Sequence, residues 1–231
     1  MLKLAPLVLL ILYGLVMYHF SARRLKRELD ARSTVLADPK LRKLTERMAD
    51  ALGLERISVR IYEITPINGL AAPDGRIFIT RGFYQRYRAG EVTAEELSSV
   101  IAHELGHVAL GHSRRRLIDF SGQNALRMVL ATLLNRFLPG IGVMIAGTLT
   151  ALLAARLSRA DEYEADAYAA ALLTKAGIGT EPQKALFRKL EGLTGMAGGP
   201  PVWLSSHPTA DDRIRAIEEA EARWKAALPD S

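Results

Sequence analysis

Two histidines and a glutamate carry most of the chemistry this chain can offer. In VIAHELGHVALGH, residues 100–112, His103 and His107 stand four apart, and Glu104 follows the first. On a helix, positions i and i+4 share a face, so both imidazoles can direct a nitrogen at one point. Glu104 lies about 100° further round, where it can reach a water at that point without being a ligand. This H-E-x-x-H arrangement supplies two zinc ligands and a general base. A catalytic zinc ordinarily takes three protein ligands and keeps a fourth position for water, so a third ligand must come from elsewhere. The competing reading is a helix carrying a chance HExxH. Against it, Ile101, Leu105, Val108 and Ala109 give the helix an apolar face to bury. Imidazoles and a carboxylate on a buried helix need partners, which a metal supplies. Gly106 sits mid-helix, where glycine costs about 1 kcal/mol relative to alanine. Close approach of a second backbone would account for it.

The chain has no cysteine, which excludes thiolate ligands, a cysteine nucleophile and a disulfide framework. His112 is about 140° round the helix from His107 and cannot aim at the same metal. Residues 158–170, SRADEYEADAYAA, place Glu162 and Asp166 four apart on a second helix, among alanines that let other elements pack close. One carboxylate can bind the metal, and the other can accept a hydrogen bond from a ligating histidine. Spacing alone does not choose between them. Glu164 reads as solvent-facing. His207, in SSHPTADDRI at 205–214, follows the glycine- and proline-rich stretch GLTGMAGGPPV at 192–202. On local chemistry, His207-Pro208 is a turn that starts the last helix, with Thr209 as its cap.

Four ordered blocks, INGLAAPDGRIFITRGF at 67–83, HELGH, SRADEYEAD and SSHPTADDRI, resemble the HtpX-like membrane zinc metalloproteases. Relatives of that family include the CAAX prenyl proteases and BepA-type proteases. The likeness spans roughly residues 60–220. It implies a gluzincin-type metallopeptidase domain with one zinc ion per chain, held by His103, His107 and Glu162, with Glu104 as the base. It implies that Asp166 and Arg213 support the ligands from behind. It also implies that His207 acts at the active site, as an additional zinc ligand in a resting form or as a stabiliser of the oxyanion. Asn68 and the strand Arg76 to Thr80, with Ile77 and Ile79, would flank a substrate cleft where a peptide could add to a strand edge. Gly69 departs from the pattern, which leads one to expect alanine there. The activity implied is hydrolysis of misfolded or membrane-associated polypeptides. The alternative is a non-proteolytic chaperone or adaptor that retains the protease fold.

These residues need a scaffold, and the sequence predicts an α+β, predominantly helical one. Apolar residues are 49% and charged residues 24% of the 231, ordinary for a folded chain. The formal charge is +6. Arg23, Arg24, Lys26 and Arg27, and again Arg114 to Arg116, sit beside apolar segments, which points to lipid headgroups; a solvated face accounts for the second cluster equally well. With no interleaved aromatics and no nucleic-acid motif, no nucleic-acid partner is expected. Nothing in the pattern specifies an oligomer.

Residues 1–22 read as an N-terminal transmembrane anchor: Lys3 is the one charge in residues 1–20, and the run is just long enough to span a bilayer. A cleaved signal peptide is the rival, but Phe20 spoils a small-x-small site ending at Ala22. The basic cluster after the run places the rest of a single-pass chain in the cytoplasm, at a bacterial-type inner membrane. Cleavage would place it in the periplasm. Residues 23–55 read as a basic juxtamembrane segment and a helix, opened at Asp38-Pro39 and closed by Gly53. Residues 56–228 read as the peptidase domain. Within it, ISVRIYEI (57–64) and Arg76–Thr80 alternate as strands around a Pro73-Asp74-Gly75 turn and are expected to form a small antiparallel sheet. Thr93 with Glu96 forms a capping box that opens the metal helix. At about 117–157 lies an apolar hairpin broken at Pro139-Gly140. His107 and Glu162 reach one metal, so the chain between them crosses a membrane twice or not at all. Two crossings need about 40 apolar residues and a turn. Asp119, Gln123, Asn124, Arg127, Asn135 and Arg136 interrupt the first half. The hairpin is therefore expected either to be buried in protein or to dip into the near leaflet.

Overall fold

The computed structural model describes Val16, His19, Phe20 and residues 23–72, 74–195 and 209–227. Most of the expected 1–22 anchor, Pro73 of the turn, and His207 lie outside the described residues. The chain divides into two compact units. One comprises Met1–Ala31 with Gly111–Ser158, the other Arg32–Leu110 with Arg159–Ser231.

The second unit carries the chemistry. Its elements are β1 (Ser33–Val35), α1 (Pro39–Leu52), β2 (Val59–Tyr62), β3 (Gly69–Ala71), β4 (Ile77–Thr80), α2 (Arg81–Arg88) and α3 (Ala94–Ala109). Helix α4 (His112–Phe137) belongs to the first unit, and the division falls within α5 (Gly142–Lys175). Helices α6 (Glu181–Gly195) and α7 (Ala210–Ala227) complete the second unit.

Helix α1 forms where its caps predict. The Asp38 side chain accepts from the backbone N–H groups of Lys40 and Leu41, and Gly53 closes the helix in the left-handed region at φ 67°. Leu41, Leu44 and Met48, at helical spacing, join one core with Ile77, Phe83, Leu97 and Ile101. Leu41 and Met48 are fully buried there. Helix α1 thus belongs to the second compact unit, which begins at Arg32.

The sheet has the order β1-β2-β4-β3. It is mixed, not antiparallel as expected. β1 runs antiparallel to β2, and β3 to β4, but β2 and β4 are parallel, with Val59 opposite Ile77. The chain leaving β2 first lays down β3, turns through Asp74-Gly75 and returns as β4 between the two. Its return direction matches β2. β4 is covered on both faces, which is why Ile77, Phe78 and Ile79 form a continuous apolar run, all at most 1% exposed.

Helix α3 runs through the centre of this unit. From Leu97 to His107 every residue is buried. Its capping box is present: Thr93 Oγ1 accepts from Glu96 N at 3.1 Å, and Glu96 Oε2 accepts from Thr93 N at 2.8 Å. Glu96 also pairs with Lys189 of α6 at 2.7 Å. In this core, truncating Leu97 or Ile101 to alanine would cost about 2–5 kcal/mol.

In the first unit, α4 ends at Phe137 and α5 begins at Gly142. The break falls at Pro139-Gly140, as expected, with Gly140 at φ 82° and its N–H held by Asn135 Oδ1 at 2.9 Å. Large apolar side chains around this turn are exposed, Phe137 at 77% and Met144 at 66%.

Candidate metal centre

Helix α3 presents His103 and His107, and α5 presents Glu162 and Asp166. What lets the two helices meet is Gly106. A Cβ built there would lie 3.0 Å from both Cα and O of Ala165, closer than ordinary van der Waals contact. Gly106 adjoins His107 and lies one turn after His103. Ala165 adjoins Asp166 and lies one turn after Glu162. A backbone-on-backbone crossing therefore brings the two pairs of functional side chains face to face. This is the close approach that the mid-helix glycine predicted.

The three residues form a tight triangle, with Glu162 turning one oxygen to each histidine. His103 Nε2 and His107 Nε2 are 3.1 Å apart. Glu162 Oε2 is 3.3 Å from His103 Nε2, and Glu162 Oε1 is 3.4 Å from His107 Nε2. All three residues are buried. A tetrahedral zinc with bonds of about 2.0–2.1 Å separates its ligands by about 3.3–3.4 Å. The triangle has those dimensions, and its all-N/O donor set suits zinc. One proton can bridge one pair of these atoms at a time, whereas one cation can satisfy all three. His112 lies outside this group, at the start of α4 and not on α3 as the 140° argument assumed.

Behind the triangle, Asp166 Oδ1 accepts a hydrogen bond from His103 Nδ1 at 2.8 Å. That bond puts the imidazole proton on Nδ1 and turns the Nε2 lone pair toward the centre. Asp166 is in turn held by Arg213, whose Nε and Nη2 each donate to one of its oxygens at 2.6 Å. This is a bidentate pair, with both side chains 1% exposed. The guanidinium lies over the Phe187 ring at 4.0 Å.

Burial alone would raise the Asp166 pKa. The charge and hydrogen bonds of Arg213 outweigh it and hold the carboxyl down at about 2. Burial alone would lower the His103 pKa. Hydrogen bonds with Asp166 and Glu162 outweigh that and raise it to about 9. The carboxylates around His103 favour positive charge at that spot, whether a proton or a metal ion.

Glu104 is buried and lies outside the ligand group. It faces β3, where a Cβ at Gly69 would come within 3.0 Å of its Oε1. Asn68 stands just before β3, with its N–H on Thr80 Oγ1 at 3.0 Å. Ile77 and Ile79, expected beside a substrate cleft, are buried. β4 lies between β2 and β3, so both its edges are paired and these side chains are in the core. Among the described residues, the outer edge on this side of the sheet belongs to β3. Ala109, expected on the buried face, is exposed where α3 ends. Thr209 caps α7, accepting from Asp212 N at 3.4 Å.

Sequence reasoning missed Phe187 beneath Arg213, and Gln183, whose Nε2 donates to the Asp166 carbonyl at 3.3 Å. Both sit on α6 at ordinary amphipathic positions, and no local signal distinguishes them.

The fold and this centre define a metalloendopeptidase of the HExxH type. Residues 36–221 match Peptidase family M48, and the chain belongs to that family. It is 28% identical to Metalloprotease LoiP of Escherichia coli (strain K12) over 199 residues, 84% of this chain and 76% of the relative. It is 27% identical over 209 residues to a Protease HtpX homolog of Leptothrix cholodnii, covering 75% of this chain and 69% of the relative. It is also 27% identical over 185 residues to the mitochondrial Metalloendopeptidase OMA1 of Homo sapiens. That match covers 76% of this chain but only 34% of the human protein. The HtpX-like resemblance in the sequence is borne out.

Proposed function

We propose that this chain is a membrane-anchored zinc endopeptidase of misfolded or membrane-associated polypeptides, holding one zinc ion through His103, His107 and Glu162. The observation that carries this reading is the buried triangle of 3.1–3.4 Å among their ligand atoms. A zinc ion there supplies Lewis-acid polarisation of the scissile carbonyl and of the attacking water. The rest of the work falls to side chains. Glu104 takes the proton from the attacking water and delivers it to the leaving amine. Asp166 keeps the His103 proton on Nδ1, and Arg213 keeps Asp166 ionised and aimed. The substrate lies extended along the open edge of β3, next to Glu104. His207, from the segment before α7, reaches the site as a further ligand or as a donor to the oxyanion.

The anchor is residues 1–22, at a bacterial-type inner membrane, with the catalytic unit in the cytoplasm by the charge rule. One helix among the described residues, Gly142–Lys175, is also long and apolar enough to cross a membrane by length and composition.

The test is zinc stoichiometry and casein hydrolysis on the detergent-purified protein, beside Glu104→Gln and Glu162→Ala. Wild type should hold one zinc and cleave. Glu104→Gln should hold zinc and not cleave, because it removes the base and no ligand. Glu162→Ala should lose the metal. A wild type without zinc, or a Glu162→Ala variant with full occupancy, would refute the site.

A further inference from the structure

Gly69 opens β3 and lies against Val100 and Glu104 of α3. Asn68 and Ala72 direct backbone groups inward to β4: Thr80 N donates to Asn68 O at 3.1 Å, and Ala72 N to Arg76 O at 2.9 Å. Groups alternate along an antiparallel ladder, so Gly69 and Ala71 direct theirs to the outer edge. The other side of Gly69 lies against α3. A Cβ there would fall 2.7 Å from Val100 Cγ1, 3.0 Å from Glu104 Oε1 and 3.1 Å from Glu104 Cγ. Carbon contacts are comfortable at about 3.5–4.0 Å, so a side chain at this position would force something to move.

The strand cannot retreat easily. Thr80, fully buried, latches Asn68 from the sheet side. Its Oγ1 accepts from Asn68 N at 3.0 Å and donates to Asn68 O at 3.1 Å, in addition to the backbone bond. The helix cannot retreat either, because α1 and α6 pack against α3 and Ile101 and Leu97 are fully buried. What remains to give way are two side chains of α3, Val100 and Glu104.

We propose that Gly69 is a positioning residue for Glu104, its missing side chain setting the gap between the base and the strand edge along which a peptide lies. The inference rests on the reading of Glu104 as general base.

The test compares wild type with Gly69→Ala, Val100→Ala and the double variant. It reads zinc content, Tm, kcat and KM on a casein-derived fluorogenic peptide. Gly69→Ala should keep one zinc and lower kcat about 10–100-fold, the scale of a misplaced catalytic group. KM should stay within about twofold, which places the loss in the transition state. Adding Val100→Ala relieves the shorter contact, so Tm should recover. The contact with Glu104 remains, so kcat should stay low. Wild-type kcat in Gly69→Ala overturns the proposal. So does a double variant whose kcat recovers together with its Tm, since the effect would then run through packing on Val100. If Gly69→Ala does not fold, the double variant alone decides. A wild type that binds no zinc and cleaves nothing removes the base itself, and this proposal with it. An active wild type with an indifferent Gly69→Ala removes only the proposal.

Discussion

Asp166 faces a buried imidazole on one side and a buried guanidinium on the other. Replacing it with asparagine leaves Arg213 with a charge and no counter-charge in the interior. Asp166→Asn should destabilise the fold by about 3–5 kcal/mol, measured by guanidinium denaturation. It should also weaken zinc binding about 10–100-fold, measured by competition with a chelator, because the asparagine amide no longer fixes the His103 proton. Replacing both partners, Asp166→Leu with Arg213→Leu, removes the stranded charge. Most of the stability should return, while the zinc affinity should not. Recovery of both would reduce Asp166 to a packing residue. The same two carboxylates mark the limit of the sequence at this scale. Glu162 and Asp166 stand four apart on one helix face, and nothing local tells the ligand from its support. The difference is which of them meets Nε2 of His103 and which meets Nδ1, a property of the α3–α5 crossing. His103, Glu104 and His107 were legible because their relation is set by one helix turn.

That crossing depends on a single missing side chain. A branched residue at 106 would press on the backbone of α5 at Ala165, which cannot rotate away. Gly106→Val should therefore part Glu162 from the histidines. The expected result is loss of zinc with helical circular dichroism retained; full occupancy would show that the helices do not need this approach. The seat of Arg213 is set at the same scale. On α7, Glu221 accepts from the Thr180 hydroxyl and takes Lys184 Nζ at 3.1 Å, tying α7 to the start of α6. Burial raises the Glu221 pKa, but the hydrogen bonds from Thr180 and Lys184 outweigh it, and the net shift is downward. A carboxyl lowered on folding stabilises the fold above its ordinary value near 4.5 and loses that contribution as pH falls through the lowered one. The stability gap between wild type and Glu221→Gln, at most about 1 kcal/mol for a partly exposed pair, should be widest above pH 4.5. It should close in more acid solution. A gap that does not change with pH would mean the carboxylate charge is not what holds α7. Element boundaries at α1 and α3 were readable because caps are local: Asp38, Gly53, Thr93 and Glu96 act within one turn. Sheet order was not readable. Inserting β4 between β2 and β3 depends on contacts across tens of residues, and three-residue strands such as β1 and β3 carry too little alternation to detect.

At the scale of the whole chain, the two units present different surfaces. The catalytic unit buries its apolar residues around α3. Around the α4–α5 turn, Met128, Leu133, Phe137, Ile141, Met144 and Leu152 are all exposed, a concentration of large apolar side chains of the kind that marks an interaction surface. The sequence limited this segment to an even number of crossings through one consideration, the proposal that His107 and Glu162 share an ion. Its choice between burial in protein and contact with lipid needed the side-chain exposure. On that exposure we expect the turn to enter the near leaflet, independently of residues 1–22. The protein beginning at Arg23 should then still float with vesicles containing anionic lipid. Phe137→Glu combined with Met144→Glu should leave it in the aqueous fraction, because a charge at each position opposes entry into hydrocarbon. Zinc content and hydrolysis of a soluble peptide should survive these changes, since both lie outside the unit that holds the metal ligands. If the truncated protein stays in water at every lipid composition, the first 22 residues alone make the membrane attachment. If instead the double substitution abolishes hydrolysis while flotation persists, the exposed turn serves the catalytic unit and not the bilayer.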